Sequence, residues 1–320
     1  MERMECEELT GGRIRSVNRL FLLTLGFYLL GSFLVAWLDP GLIGSLAVSQ
    51  GVLALPAIGW LLIKRVPARS FLRLRRLDLP SVLLVLLFAF LLYPVLTLIN
   101  AVSMLFLEYN ISDTLSAEST SIPFAAMFLM VAVVPAVLEE TVYRGVFFHA
   151  YREHSVWKGA LLSGFLFGMM HANFNQFFYA FALGFVFALL IEATGSLFSS
   201  MLVHLCYNGF SVLVLYAMNW LSGKSESFAN ALEAESESGI TPSMVLAMVP
   251  QAVFFGVLAF FVYRALAKRN GTYETIRSSV RESSKRGSFR KLITVPLVLG
   301  TGFLFFIMTV NELLAMGILK

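Results

Sequence analysis

Charge is scarce in this chain of 320 residues: Asp, Glu, Lys and Arg together make up 14% of it, against about 25% in a soluble domain. Cysteine is scarcer. The two present, Cys6 and Cys206, lie in a polar leader and inside an apolar segment, which argues against a disulfide framework and leaves no zinc-ribbon spacing. No small-residue cleavage site follows the first apolar run, so that run reads as a retained anchor rather than a removed signal. No internal repeat is evident. The basic residues stand beside apolar stretches rather than in a stripe of their own, which excludes nucleic acid as a partner.

What is abundant is apolar surface. The chain is 58% hydrophobic with 30 Phe and has a mean hydropathy of +0.78, more than a water-soluble fold of this length can hide. Lipid is therefore its expected solvent. Stretches able to cross a bilayer, which takes about 20 residues, run over Leu20–Leu38, Leu42–Ile63, Pro80–Phe106, Ile122–Phe148, Val156–Met170, Gln176–Ile191, Gly195–Trp220, Ser243–Tyr263 and Leu292–Ile318. The expected fold is an all-α polytopic transmembrane bundle of about nine spans, two of them short. Lys64 to Arg76, Arg152 with Lys158, and Lys268 to Lys291 alternate with loops carrying Asp39, then Glu108, Asp113 and Glu118, then Glu226 to Glu237. By the positive-inside tendency the basic loops and the leader Met1–Arg19 are cytoplasmic, which places the N-terminus inside and the C-terminus outside. The Ser/Glu-rich stretch Ser225–Ser238 reads as a solvated loop. Three regions follow: 1–121 with the leader and three spans, a core over 122–218, and 219–320 with an outer acidic loop, a basic inner loop and two further spans.

Ionisable groups inside lipid cost about 2.5–3.5 kcal/mol each at a helix centre and so need an account. The fourth stretch ends in Glu139-Glu140-Thr141-Val142-Tyr143-Arg144. Glu140 and Arg144 stand four apart, on one helical face, and can pair. Glu139, about 100° around the helix, is the free carboxylate. His171 follows Phe167-Gly168-Met169-Met170 at the far end of the fifth stretch, and His204 and Asn208 share a face of the seventh. Cys206 is rotated away from that face and reads as a small buried residue.

Peptide hydrolysis needs an activated water, a proton donor for the leaving amine and hydrogen bonds to an oxyanion. Glu139 with His171 can activate the water, and His204 with Asn208 can form the oxyanion site. A second arrangement has Glu139, His171 and His204 binding Zn²⁺, and these residues alone leave the choice between the two open. His-Glu-x-x-His, Gly-x-Gly-Asp and Gly-x-Ser-x-Gly are all missing. Ser200, four residues before His204, would leave Glu139 and Asn208 unexplained as a nucleophile.

Glu139-Glu140-x-x-x-Arg144, Phe167-x-x-x-His171 and His204-x-x-x-Asn208, with Thr194-Gly195-Ser196-Leu197 leading the last, resemble the motifs of the CAAX protease and bacteriocin-processing family over roughly Ile122–Tyr216. The resemblance implies an integral, multi-pass helical membrane core whose cavity opens to the cytosolic side, with catalytic roles on Glu139, His171, His204 and Asn208 and supporting roles on Glu140 and Arg144. It implies as partners membrane lipids and a membrane-associated or prenylated peptide cleaved near its C-terminus. Glu192 departs from the pattern, since a basic residue is frequent there in relatives. A non-catalytic scaffold or immunity protein and a proton-coupled transporter are the competing expectations. Counted along straight helices at 1.5 Å per residue, Glu139, His171 and His204 fall at different depths, so convergence requires a tilt or a kink, for which Pro135 is the candidate.

Overall fold

The computed structural model describes residues 2–107, 121–285 and 289–319 and, among them, contains helices and no strands. Eleven helices organise it: α1 (Glu2–Leu38), α2 (Gly41–Ile63), α3 (Leu79–Met104), α4 (Phe124–Arg152), α5 (Val156–Met169), α6 (Phe174–Thr194), α7 (Leu197–Ser222), α8 (Glu226–Ser238), α9 (Pro242–Arg269), α10 (Tyr273–Lys285) and α11 (Val295–Ala315). Their starts follow from side chains that accept otherwise orphaned backbone N–H groups. Asp78 accepts from Ser81 N, Ser155 from Lys158 N, Asn173 from Gln176 N, Ser196 from Phe198 N and Thr241 from Met244 N. Gly195, at φ 69°, ends α6 in the left-handed conformation that a glycine adopts without strain.

Among the described residues, eight helices are long and apolar enough to cross a membrane: α1 from Gly11, α2, α3, α4, α6, α7, α9 and α11. The ninth expected span is α5, which has only 14 residues. At 1.5 Å per residue it reaches about 21 Å, short of the roughly 30 Å hydrocarbon core. The chain turns back beyond Met169, with Ala172 at φ 55°, into α6. The leader is part of α1, helical from Glu2. The stretch expected to be a solvated loop is helix α8, because Ser225 caps it by accepting from Phe228 N and Ala and Glu sustain it. Glu108, Asp113, Glu118 and the Cys6 side chain lie outside the described residues.

The basic segments gather at one end of the bundle. Glu192, at the end of α6, accepts from Arg73 at 2.7 Å and from Arg152 at 2.7 and 2.8 Å. Arg13 pairs with Glu153, and Arg269 with Asp78. The Arg269 and Ser81 hydrogen bonds hold the exposed Asp78 carboxyl down at about 2. Asn18, fully buried, donates to Leu292 O and Thr294 Oγ1 and accepts from Tyr151, which joins α1, α4 and the approach to α11.

The segment after α2 covers the start of α7: Leu197 N donates to Arg73 O, and Ser196 Oγ donates to Arg75 O. Leu197, Ser199 and Ser200 are consequently buried, and α7 begins inside the bundle rather than at its surface. Beside it α5 and α6 pack backbone to backbone through glycine, the small-residue contact that lets membrane helices approach closely. A Cβ added at Gly164 would stand 2.7 Å from Phe185 N and 2.9 Å from Phe181 O. Gly164→Leu is therefore expected to force α5 off α6 and destabilise the protein by about 1–3 kcal/mol or more. Gly302→Leu, where nothing lies within 4 Å of a new Cβ, should leave the unfolding midpoint nearly unchanged. Thermal unfolding of both purified variants in detergent checks the contrast.

Candidate active site

Helix α4 is not uniform. It runs as π-helix over Leu129–Val133, as α-helix over Val134–Glu140 with Pro135 in its first turn, and as π-helix again over Thr141–Phe148. Its i→i+5 turns hold more residues than α-helical ones and recur at functional sites. Glu139 and Glu140 sit at the junction, and Arg144 in the second π stretch.

Glu140 and Arg144 have fully buried side chains, with Arg144 Nη1 3.2 Å from Glu140 Oε1. None of the Arg144 nitrogens has hydrogen-bond geometry to a partner. The guanidinium lies instead over the rings of Phe167 at 4.2 Å and Phe187 at 5.0 Å, so ion pairing and cation–π attraction together hold the charge. From α7, His204 directs Nδ1 at Glu140 Oε1, 3.1 Å away. An ionised carboxylate only accepts, so Nδ1 carries the proton and donates. The other ring nitrogen, Nε2, then faces Glu139 Oε2 at 3.8 Å. Phe167 and Phe187 flank the imidazole, with centroids 5.9 and 5.5 Å away.

Glu139 keeps a side chain 13% exposed and accepts at Oε1 from Gln50 Nε2 of α2, 2.8 Å away. His171 lies two residues past the end of α5, half-buried, with Nδ1 2.9 Å from Phe167 O and its ring edge-to-face with Phe167 at 5.0 Å. The same Phe167 ring borders His204, which brings the two imidazoles to one side chain. Asn208, one turn beyond His204, donates from Nδ2 to Val131 O in the first π stretch at 2.9 Å. Glu139 and His204 thus come together with Glu140 and Arg144, His171 stands beside them, and one Asn208 donor is taken by backbone.

His204 of α7 reaches both Glu139 and Glu140 of α4 despite the different depths expected for straight helices, in a bundle where α7 starts enclosed and α4 carries two π-helical stretches. Among the described residues no three His, Cys, Asp or Glu side chains converge as a metal-ligand set. Glu139, His171 and His204 are not grouped as such a set.

Two participants escape a search for charges in lipid. Gln50 is 7% exposed in the middle of the second span, and an amide in that position is itself a signal for a polar partner. Glu192 stood out only as a departure from a pattern, yet it joins Arg73 to Arg152 at the foot of α4.

An all-helical bundle with adjacent carboxylates and an imidazole on neighbouring spans defines a polytopic membrane protein with ionisable side chains clustered among its helices. Residues 121–210 match the family model described as type II CAAX prenyl endopeptidase Rce1-like. The chain is also similar to "Putative membrane peptidase YdiL" of Bacillus subtilis (strain 168), 30% identical over 89 residues, which are 28% of this chain. That match covers 36% of the relative, so the chain matches about a third of its length. No solved structure matches.

Removing Glu140 strands a buried guanidinium and the His204 donor. Glu140→Ala is expected to cost about 3–5 kcal/mol of stability, the range for breaking one partner out of a buried ion pair. The double variant Glu140→Leu/Arg144→Met should recover much of that loss. Comparing unfolding midpoints of the two in the same detergent checks it.

Proposed function

We propose that the chain is an intramembrane endopeptidase that cleaves near the C-terminus of a membrane-associated peptide, with 122–218 as its catalytic core and the flanking regions as its framework. The observation that carries this reading is the single imidazole of His204 set between two adjacent carboxylates, 3.1 Å from one and 3.8 Å from the other. A separation of 3.8 Å is beyond a direct hydrogen bond, and a water about 2.8 Å from each atom would close it. Glu139 lies where such a water would be activated, and Gln50 fixes its second oxygen.

In the proposed reaction Glu139, with His171 beside it, takes a proton from water as the water oxygen bonds to the scissile carbonyl carbon. The carbonyl electrons move onto oxygen. Asn208, through the Nδ2 hydrogen not given to Val131, stabilises that oxyanion, and His204 joins it by taking a solvent proton on Nε2 before the substrate binds and keeping it through the cycle, with Nδ1–H held by Glu140. Breaking the C–N bond returns the proton from Glu139 to the leaving amine and leaves a carboxylic acid, whose remaining proton passes to the amine, so the products are one carboxylate and one ammonium group. Glu140 and Arg144 support the site by orienting His204. The family match supports a CAAX-type, prenylated peptide as the substrate class. The gathering of basic segments at one bundle end supports a cytoplasmic N-terminus and a cavity opening on that side.

The test is hydrolysis of a prenylated reporter peptide by purified protein, with and without chelator. Glu139→Ala and His171→Ala are each expected to lower kcat at least about 100-fold, the lower bound for a general acid–base group. Activity that survives chelation and dies in both variants supports the metal-free route. Unchanged turnover in Glu139→Ala would end the proposal. Gln50→Ala should lower kcat about 10-fold, the scale of one misaligned hydrogen bond at a reacting carboxylate.

A further inference from the structure

Outside the matched region a second site is built where α9 meets α10. The turn Asn270-Gly271-Thr272 folds α10 back across the end of α9. Gly271 takes φ +69°, Asn270 Nδ2 donates to Leu266 O, and Thr272 Oγ1 donates to Ala193 O at 2.8 Å. This turn closes one side of a cavity of about 500 Å³ lined by Arg264, Lys268, Gly271, Tyr273, Glu274 and Arg277. Three of these side chains are cationic and one is anionic. Glu274 does not neutralise the group, since its contact with Arg277 is 3.8 Å long between exposed side chains, a separation at which an ion pair contributes little.

Arg264 and Lys268 are four residues apart on one face of α9, and both lie against the Tyr273 ring, at 5.3 and 5.6 Å from its centroid. The Nε of Arg264 is buried and has no hydrogen-bond partner among the described residues. An unmatched guanidinium donor in a cationic, open cavity suits the oxygens of a phosphate, which accept in the forked geometry arginine offers.

Position indicates where that phosphate comes from. Arg264 stands five residues, about 7.5 Å, from the end of a membrane-spanning helix, near the level where lipid headgroups meet acyl chains. Leading away from it along the same helical face are Phe260, Val257 and Val253, spaced by four, three and four residues and all exposed. An acyl chain can lie on that stripe while its phosphate sits among the cations. We propose that this cavity binds the phosphate of an anionic membrane lipid, with Arg264 as the principal donor and Lys268 and Arg277 as supporting charges.

The test uses the full chain in neutral detergent and reads the thermal midpoint during titration with phosphatidylglycerol, with diacylglycerol, which has the same chains and no phosphate, and with inorganic phosphate. Phosphatidylglycerol is expected to raise the midpoint by a few degrees and the other two to leave it in place. Arg264→Gln/Arg277→Gln should need at least about 10-fold more phosphatidylglycerol for the same shift, the equivalent of one lost charge-assisted hydrogen bond. Lys64→Gln/Arg65→Gln, which removes the same charge elsewhere, should respond like the unmodified protein. If Arg264→Gln/Arg277→Gln does not fold, Lys268→Gln/Arg277→Gln gives the same readout with Arg264 intact. An equal response in the site and control variants would overturn the proposal, and so would an equivalent, variant-sensitive shift with inorganic phosphate, which would make this a free-phosphate site.

Discussion

One buried charge constrains this bundle more than any other: the Arg144 guanidinium, wholly enclosed among apolar rings. A cation there is tolerable only with a carboxylate beside it, which requires Glu140 one turn away. Glu140 is then the acceptor that decides which His204 nitrogen carries a proton. The remaining nitrogen is directed at Glu139. The enclosure of one side chain thus calls for a partner carboxylate, a hydrogen bond from His204 Nδ1 and a direction across two helices, before any substrate is considered. Phe167 and Phe187 serve in both halves of the arrangement, since the same rings face the guanidinium and the imidazole.

Much of this was legible locally. The i, i+4 spacing of Glu140 and Arg144 leads directly to the ion pair observed, and the 100° step between neighbours separates Glu139 from it. Apolar runs located most span ends to within about four residues, but the first span begins at Gly11 rather than Leu20 and α9 runs on to Arg269 rather than Tyr263. What a linear reading could not supply were relations between distant segments. The His204–Glu140 hydrogen bond joins residues 64 apart, and no periodicity encodes it. Gln50 is 89 residues from Glu139 and uncharged, so a search weighted by charge passes over it.

The remaining differences share a cause, which is that helices were placed as if each began at the membrane surface and ran straight. Helix α7 begins beneath the segment that follows α2, helix α4 contains two π-helical stretches, and α5 stops after 14 residues. Helix α8 illustrates the opposite error. Polarity suggested a loop, while its serine cap and helix-forming residues give a helix.

The hydrogen bond from Gln50 has a consequence for modularity. The matched family domain begins at residue 121, yet an amide from the second helix holds an oxygen of Glu139, and backbone carbonyls of Arg73 and Arg75 secure the start of the helix bearing His204. A graft carrying only the recognisable stretch into another bundle would arrive without these attachments. The flanking helices, where resemblance fades, are therefore part of what any descendant or chimera of this protein must inherit together with the motif residues.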